Sequence, residues 1–254
     1  MNRARIDTKR TSTLRHDERV LIAIPTYDEA ENICALLATL LDLHPEAHIV
    51  VVDDNSPDGT GDVVARLAGT DARVHVIRRD GKRGLGSAYR DAFGWALERP
   101  YTLVVVMDAD FSHAPEQVSR LLEAVDGADV VVGSRYVHGG RIENWTLSRR
   151  VLSAFGNLLA RATVGHALHD WTSGFKCYRR AVLESVGSTV IESDGYAFQV
   201  EILFHCLRAG FKVREVPITF VDRRRGQTKM SNAEVVEASR LLLRLAWARW
   251  HRAR

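Results

Sequence analysis

LVVVMDADFSH, residues 103–113, is the stretch whose reading decides the fold. Leu103 to Met107 is a continuous apolar run that does not alternate with polar residues, the signature of a strand buried on both faces. At its carboxyl end come Asp108 and Asp110, with only Ala109 between them. Open α/β sheets bind their ligands at that edge. Hard divalent cations want oxygen ligands, and Mg²⁺ takes one or two carboxylates while substrate phosphates and water complete its shell. The pair therefore reads as a metal–diphosphate site. A D-x-D pair is common by itself, and its weight comes from standing at a buried strand end.

Working outward, Val20–Pro25, Ile49–Val52, Val74–Ile77 and Val130–Gly133 are similar short β-branched runs. They predict further central parallel strands. Helical stretches lie between them over Ala30–Leu41, Gly61–Leu67, Leu85–Leu97 and Pro115–Val125, the last opening on a proline suited to a helix start. Repeated β-α units imply an open sheet with helices on both faces. Beyond Gly133 the alternation loosens into a helix near Ser148–Thr163, a short strand through Phe175–Tyr178, a helix near Phe198–Arg208 and a strand near Val213–Val221. No linker separates this part from the first, so residues 20–232 read as one domain, preceded by a basic arm (1–19) and followed by a helix (233–254).

The 254 residues are 46% hydrophobic and 26% charged, which excludes disordered and collagenous chains. Three cysteines without a C-x-x-C suit a reducing compartment and argue against structural zinc. No apolar run reaches the roughly 20 residues of a membrane span, and the first 19 residues lack a signal-peptide core, so the expectation is a cytoplasmic protein. The net charge of +3 is concentrated at the ends: six Lys/Arg against three acids in residues 1–19, and five Arg with no acid in 238–254. A body with more acids than bases argues against nucleic acid, and the basic ends point to anionic lipid or acidic small molecules as partners, or serve as solubilising tails.

Other motifs are weighed against this frame. VVVDDNSPDG (50–59) ends a second buried strand in Asp53 and Asp54, at the same edge, although a strand-terminal Asp can also cap a turn. Gly81, Gly84 and Gly86 fail the dinucleotide fingerprint, because the third glycine is replaced by Tyr89 and the loop follows the third strand; a turn entering a helix is the better reading. Arg135, Arg149, Arg150, Lys176 and Arg223 to Lys229 are placed on loops, where several converging on one edge would grip phosphates. His166, His169 and Asp170 read as surface polar groups. No serine elbow, activated cysteine or paired-glutamate pattern supports a hydrolase.

Taken together, PTYDEAEN (25–32), VVDDNSPDGT (51–60), GLGSAY (84–89), DADFSHAP (108–115), GSRY (133–136), SGFK (173–176), GYAFQVE (195–201) and VDRRRGQTK (221–229) resemble the polyprenol-phosphate mannosyltransferases, or dolichol-phosphate mannose synthases, of glycosyltransferase family 2. The resemblance spans about residues 20–230 in the family's order. It implies a GT-A fold, Rossmann-like and mostly parallel, and inverting transfer of mannose from GDP-mannose to a polyprenyl phosphate. By motif, Pro25, Tyr27, Glu29, Val52 and Asp54 would hold the guanosine, while Asp108, Ala109 and Asp110 would meet the diphosphate and its Mg²⁺ or Mn²⁺. Arg135, Arg223 and Lys229 match phosphate-side positions, and Arg149 matches a position that helps hold the acceptor phosphate. The family's frequent Gly-x-Ser-Lys is Gly226-Gln227-Thr228-Lys229 here. No C-terminal membrane spans follow, as in the family's shortest members, which implies peripheral attachment at the cytoplasmic membrane face or a separate membrane protein.

The competing enzyme is a polyprenyl-phosphate glucosyltransferase using UDP-glucose, and a non-catalytic nucleotide-binding partner is a second class. In the last helix, Glu237, Arg240, Arg244 and His251 form one polar stripe, whereas Val236, Leu241, Leu242, Leu243, Leu245, Ala246, Trp247 and Trp250 cover roughly 240°, beyond the ~100° that packing on a domain needs. That arc predicts a bilayer-interface anchor.

Overall fold

The computed structural model describes residues 18–164, 168–191, 193–195, 197–222, 241, 244 and 245. Its centre is a seven-stranded sheet built from β1 (Val20–Thr26), β2 (His48–Asp53), β3 (Val74–Arg78), β4 (Leu103–Val106), β5 (Val130–Ser134), β7 (Lys176–Arg179) and β8 (Val213–Pro217), in the order β3-β2-β1-β4-β7-β5-β8. Strand neighbours pair in parallel except around β7, which runs antiparallel to both β4 and β5. Alternate residues of each central strand serve opposite faces. Leu21, Ala23, Val50, Val52, Val104 and Val106 enter one apolar cluster, and Ile22, Ile24, Ile49, Val51, Leu103 and Val105 the other. Both faces are covered, so the runs are continuous and not alternating.

Helices α1 (Ala30–Leu43) and α4 (Val118–Ala124) close one face with Ile33, Leu36, Leu37 and Leu40, and with Val118, Leu121 and Leu122. On the other face lie α3 (Leu85–Leu97), α6 (Arg180–Val190) and α7 (Ala197–Arg208), through Ala88, Ala92, Phe93, Val182, Val186, Phe198 and Leu203. Helix α2 (Thr60–Ala68) packs beside β3, and α5 (Leu147–Val164) carries only two buried residues that are described, Asn157 and Ala160. A small parallel ribbon joins β6 (Arg141–Glu143) to β9 (Thr219–Val221).

Several expectations need correction. The Val74–Ile77 segment is an edge strand with mostly half-exposed residues, not a central one. Residues 213–221 form two strands in different sheets: the chain leaves the ladder after Pro217, and Ile218 donates its N–H to the Ser134 carbonyl while accepting from Arg141. Pro115–Gln117 is a 3-10 turn leading into α4. Helix α6 and strand β6 carry no strong sequence signal; α6 ends in Gly187-Ser188-Thr189-Val190, poor helix formers that blur its period. In the last helix, Leu241 and Leu245 are buried in the apolar cluster under α7, so this part of the broad apolar arc packs on the domain. Its other arc residues and the basic arm lie outside the described residues, apart from Glu18 and Arg19.

No helix among the described residues is long and apolar enough to cross a membrane.

Candidate active site

The strand order reverses between β1 and β4, so the crevice above their carboxyl ends is where an open sheet of this kind receives its ligand. The motifs that follow β1, β2 and β4 sit at its rim. Pro25 pairs in register with Val52, and Thr26 with Asp53, so the Tyr27–Glu29 turn and the Asp54 loop emerge side by side. The two loops are stitched together: Asp28 N–H donates to Ser56 Oγ (3.1 Å), Glu29 N–H to Thr60 Oγ1 (3.0 Å) and Ala30 N–H to Asp58 (2.9 Å). Asp28 adopts a positive φ of 56° at this turn. Lys82 lies over the Tyr27 ring, 4.1 Å from its centroid.

The two adjacent carboxylates of β2 have separate tasks. Asp53 accepts from Ser56 N–H (3.2 Å) and Ser56 Oγ (2.5 Å), which makes it the organiser of its own turn. Gly61 leaves room for this carboxylate, because a Cβ there would stand 2.6 Å from Asp53 Oδ2 and displace it. Asp54 instead faces the glycine loop: it accepts N–H bonds from Arg83 and Gly84, both 3.2 Å, and lies 2.8 Å from Arg79 Nη1. Burial pushes its carboxyl pKa up, against the pull of the Arg79 charge. Arg79, itself buried and also 3.3 Å from Asp91, was not singled out by any motif. The glycine loop is the turn into α3 that its sequence predicted, with Gly84 at φ 91°.

Asp108 and Asp110 follow β4. Asp110 is buried and accepts the Ser112 N–H (3.0 Å), while Asp108 leaves about 36% of its side chain exposed beside Gly174, where a Cβ would approach Asp108 Oδ1 to 3.3 Å. His113 holds this turn: its Nδ1 accepts the Asp108 N–H (3.3 Å), and its ring stacks on Phe175 at 4.9 Å. Burial drives its pKa down to about 4, so at neutral pH it is an uncharged acceptor. Two carboxylate side chains are the protein share that Mg²⁺ or Mn²⁺ takes when diphosphate and water supply the rest, so the donor set fits such a cation.

Arg135 does reach this edge, but its fork is committed to a carboxylate. Nε and Nη2 donate to the two oxygens of Asp170 at 2.8 and 2.7 Å, and Nη2 also to Thr172 Oγ1 at 2.8 Å. Asp170, expected as a surface group, is fully buried; Glu215 accepts its N–H (2.8 Å) and that of His169 (2.9 Å). Lys176 is likewise corrected: it is a buried strand residue, not a loop one, with Nζ on Gln199 Oε1 and, at 3.4 Å, on Gln199 O. Burial lowers its pKa to about 7. Arg149 projects from the first turn of α5, 2.8 Å from Asp222 and stacked 4.2 Å over Trp145. His166, Arg223 and Lys229 lie outside the described residues.

Beside Arg149, α5 presents Leu147, Val151, Leu152, Phe155, Leu158 and Leu159 to the outside, each 41–76% exposed. Its inner side packs Ala160 and Val164 on the apolar cluster and is anchored by hydrogen bonds: Tyr136 donates to Ser153 (2.8 Å), and Asn157 bonds Thr172 (3.2 Å) and accepts the Trp171 N–H (2.7 Å). The helix thus shows a broad apolar side outward, unlike an ordinary surface helix.

Residues 21–187 match glycosyl transferase family 2. Among curated proteins, the chain is 48% identical over 229 residues to polyprenol monophosphomannose synthase of Mycolicibacterium smegmatis, covering 89% of this chain and 86% of that one. It is 50% identical over 220 residues to undecaprenyl-phosphate mannosyltransferase of Micrococcus luteus, covering 87% and 90%. Solved structures of the same fold include glucosyl-3-phosphoglycerate synthase from Mycobacterium tuberculosis with Mn²⁺ and UDP (TM-score 0.65, 19% identity, 91% of this chain and 80% of that one). A mannosyltransferase from Pyrobaculum calidifontis with GDP-mannose and Mn²⁺ aligns at TM-score 0.60 and 20% identity, over 97% and 67%.

Proposed function

The chain belongs to glycosyl transferase family 2, and from that premise we propose that it transfers mannose from GDP-mannose to a polyprenyl monophosphate with inversion at the anomeric carbon. The observation that carries this reading is identity of about half the residues, over nearly the whole chain, to two enzymes whose names specify polyprenol-type phosphate mannose synthesis. The carboxylates at the β2 and β4 ends supply the chemistry such a reaction needs.

The donor's guanosine would lie against Pro25, Tyr27, Glu29, Val52 and Asp54. Asp108, with Ala109 and Asp110, would hold a divalent cation, Mg²⁺ or Mn²⁺, which when bound neutralises charge on the departing diphosphate. Arg135, held in one orientation by its ion pair with Asp170, is assigned to the sugar-phosphate side, as are Arg223 and Lys229. Arg149 would meet the acceptor phosphate. That phosphate is largely ionised at neutral pH, so its oxygen attacks without an enzymic base, and catalysis consists of alignment and electrostatic stabilisation.

The acceptor's lipid tail locates the reaction at a membrane surface. The outward apolar side of α5, with Arg149 and Arg150 in its first turn, suits the bilayer interface, and makes α5 the main contact in place of the terminal helix alone. We take attachment to be peripheral, at the cytoplasmic face. The assay is direct: radiolabelled GDP-mannose or UDP-glucose is offered with a polyprenyl phosphate and Mg²⁺ or Mn²⁺. Labelled lipid from GDP-mannose is expected; label only from UDP-glucose would move the enzyme to the glucosyl reading, and no label from either would leave a non-catalytic nucleotide binder.

A further inference from the structure

The donor loop and the C-terminal helical segment are far apart in sequence yet joined by two carboxylates. Asp54 accepts the N–H groups of Arg83 and Gly84, and the same backbone turn continues into the first turn of α3. There Asp194, from the connection between α6 and α7, accepts the Ser87 N–H (3.0 Å), one of the donors a helix start leaves without an internal partner. Arg90 bonds Asp194 (3.0 Å) and the carbonyls of Ser193 (3.1 Å) and Ile191 (3.3 Å). The two segments touch backbone to backbone. A Cβ on Gly86 would stand 2.6 Å from Ser193 O and 2.9 Å from Asp194 Cα. Movement of residues 193–194 toward the loop, or loss of the Asp194 bond to Ser87, would therefore be felt by residues 84–87.

Besides Arg90, residues 193–194 are held by Glu201 of α7, whose side chain is only 4% exposed. Its Oε2 accepts the Ser193 N–H at 2.8 Å, and its Oε1 accepts Arg244 Nη2 at 2.7 Å. Both oxygens are engaged, so the carboxylate cannot pivot away from the turn while Arg244 is seated. Arg244 sits between Leu241 and Leu245, both buried against the domain. Without the arginine, this buried carboxylate loses a charged partner, which favours its rotation toward water.

We infer that Glu201 is a positioning residue for the donor nucleotide, and that Arg244 is the partner that holds it in place. Seating of the C-terminal segment on α7 then sets the geometry of the loop that grips Asp54, so the terminal helix supports donor binding whatever it does at the membrane. This rests on the assignment of Asp54 to the donor base.

The test uses the full chain with Arg244→Ala and Arg244→Lys, at a half-exposed position. Affinity for GDP and for UDP with Mg²⁺ is measured by calorimetry, alongside donor and acceptor KM and the melting temperature. In Arg244→Ala, GDP affinity should fall roughly fivefold or more, the low end of coupling between linked sites. Donor KM should rise in parallel, acceptor KM and kcat at saturating donor should hold, and Arg244→Lys should recover part of the loss. GDP affinity equal to wild type in Arg244→Ala overturns the inference, as does slower transfer with donor binding intact. A wild-type protein that binds UDP and not GDP would revise the donor, and the same comparison would then be read with UDP; one that binds neither overturns both readings.

Discussion

Arg135 and Asp170 form a buried bidentate ion pair across 35 residues of sequence, with two guanidinium nitrogens at 2.7 and 2.8 Å from the two carboxylate oxygens. Burial alone would raise the Asp170 pKa, but the Arg135 charge and its hydrogen bonds hold the carboxyl below its ordinary value. A depressed carboxylate contributes stability that is fully present above the unfolded pKa of about 3.9 and is lost as pH falls through its lower folded value. Asp170→Asn removes one partner of a buried pair, which costs about 3–5 kcal/mol. Denaturant titrations should show that deficit unchanged from pH 5 to 8 and narrowing only below about pH 4. A deficit that grows as the pH falls would mean that Asp170 is not held as the anion.

Asp110→Asn should fold normally, since an amide oxygen can still accept the Ser112 N–H. Transfer should nonetheless fall by two or more orders of magnitude, the effect of removing a main electrostatic stabiliser, ~3 kcal/mol. Full activity in the variant, or undiminished wild-type activity in excess EDTA, would remove the cation from Asp108 and Asp110.

Arg149→Ala separates acceptor from donor. Among the described residues its side chain touches Asp222 and Trp145, at the foot of α5. Acceptor KM should rise or turnover slow while GDP affinity stays within twofold or so of wild type. Equal loss of GDP binding would place Arg149 on the donor side.

The apolar side of α5 can be tested without disturbing the fold, because exposed substitutions usually change stability by less than about 0.5 kcal/mol. Phe155→Glu with Leu158→Glu should abolish flotation with anionic liposomes and lower activity on vesicle-bound acceptor, while sparing a short water-soluble acceptor. Flotation as strong as wild type would leave attachment to the terminal helix, the basic arm or a membrane partner.

Local patterns in the chain were enough for much of the architecture. The runs at Val20, Ile49, Leu103 and Val130 had to be strands, because a continuous β-branched segment bounded by turns can be satisfied only between two covered faces. The same runs delivered Asp54, Asp108 and Asp110 to one edge, since a parallel strand carries whatever follows it to its carboxyl end. The eight motifs, in order, were enough for the family. The helix of α5 was also legible, but its apolar residues read the same whether a partner element covers them or not.

Pairing between distant segments was decided only by the tertiary structure. The antiparallel course of β7, the commitment of Arg135 to Asp170, the burial of Lys176 against Gln199 and the seating of Arg244 on Glu201 each join residues that no local period relates. Asp170 looks in sequence like any loop carboxylate, and Leu241 and Leu245 look like any apolar helix positions. Hydrophobic periodicity records that a side chain leaves water, but the identity of its neighbour, and hence its charge state and its role, is fixed only when the chain closes on itself.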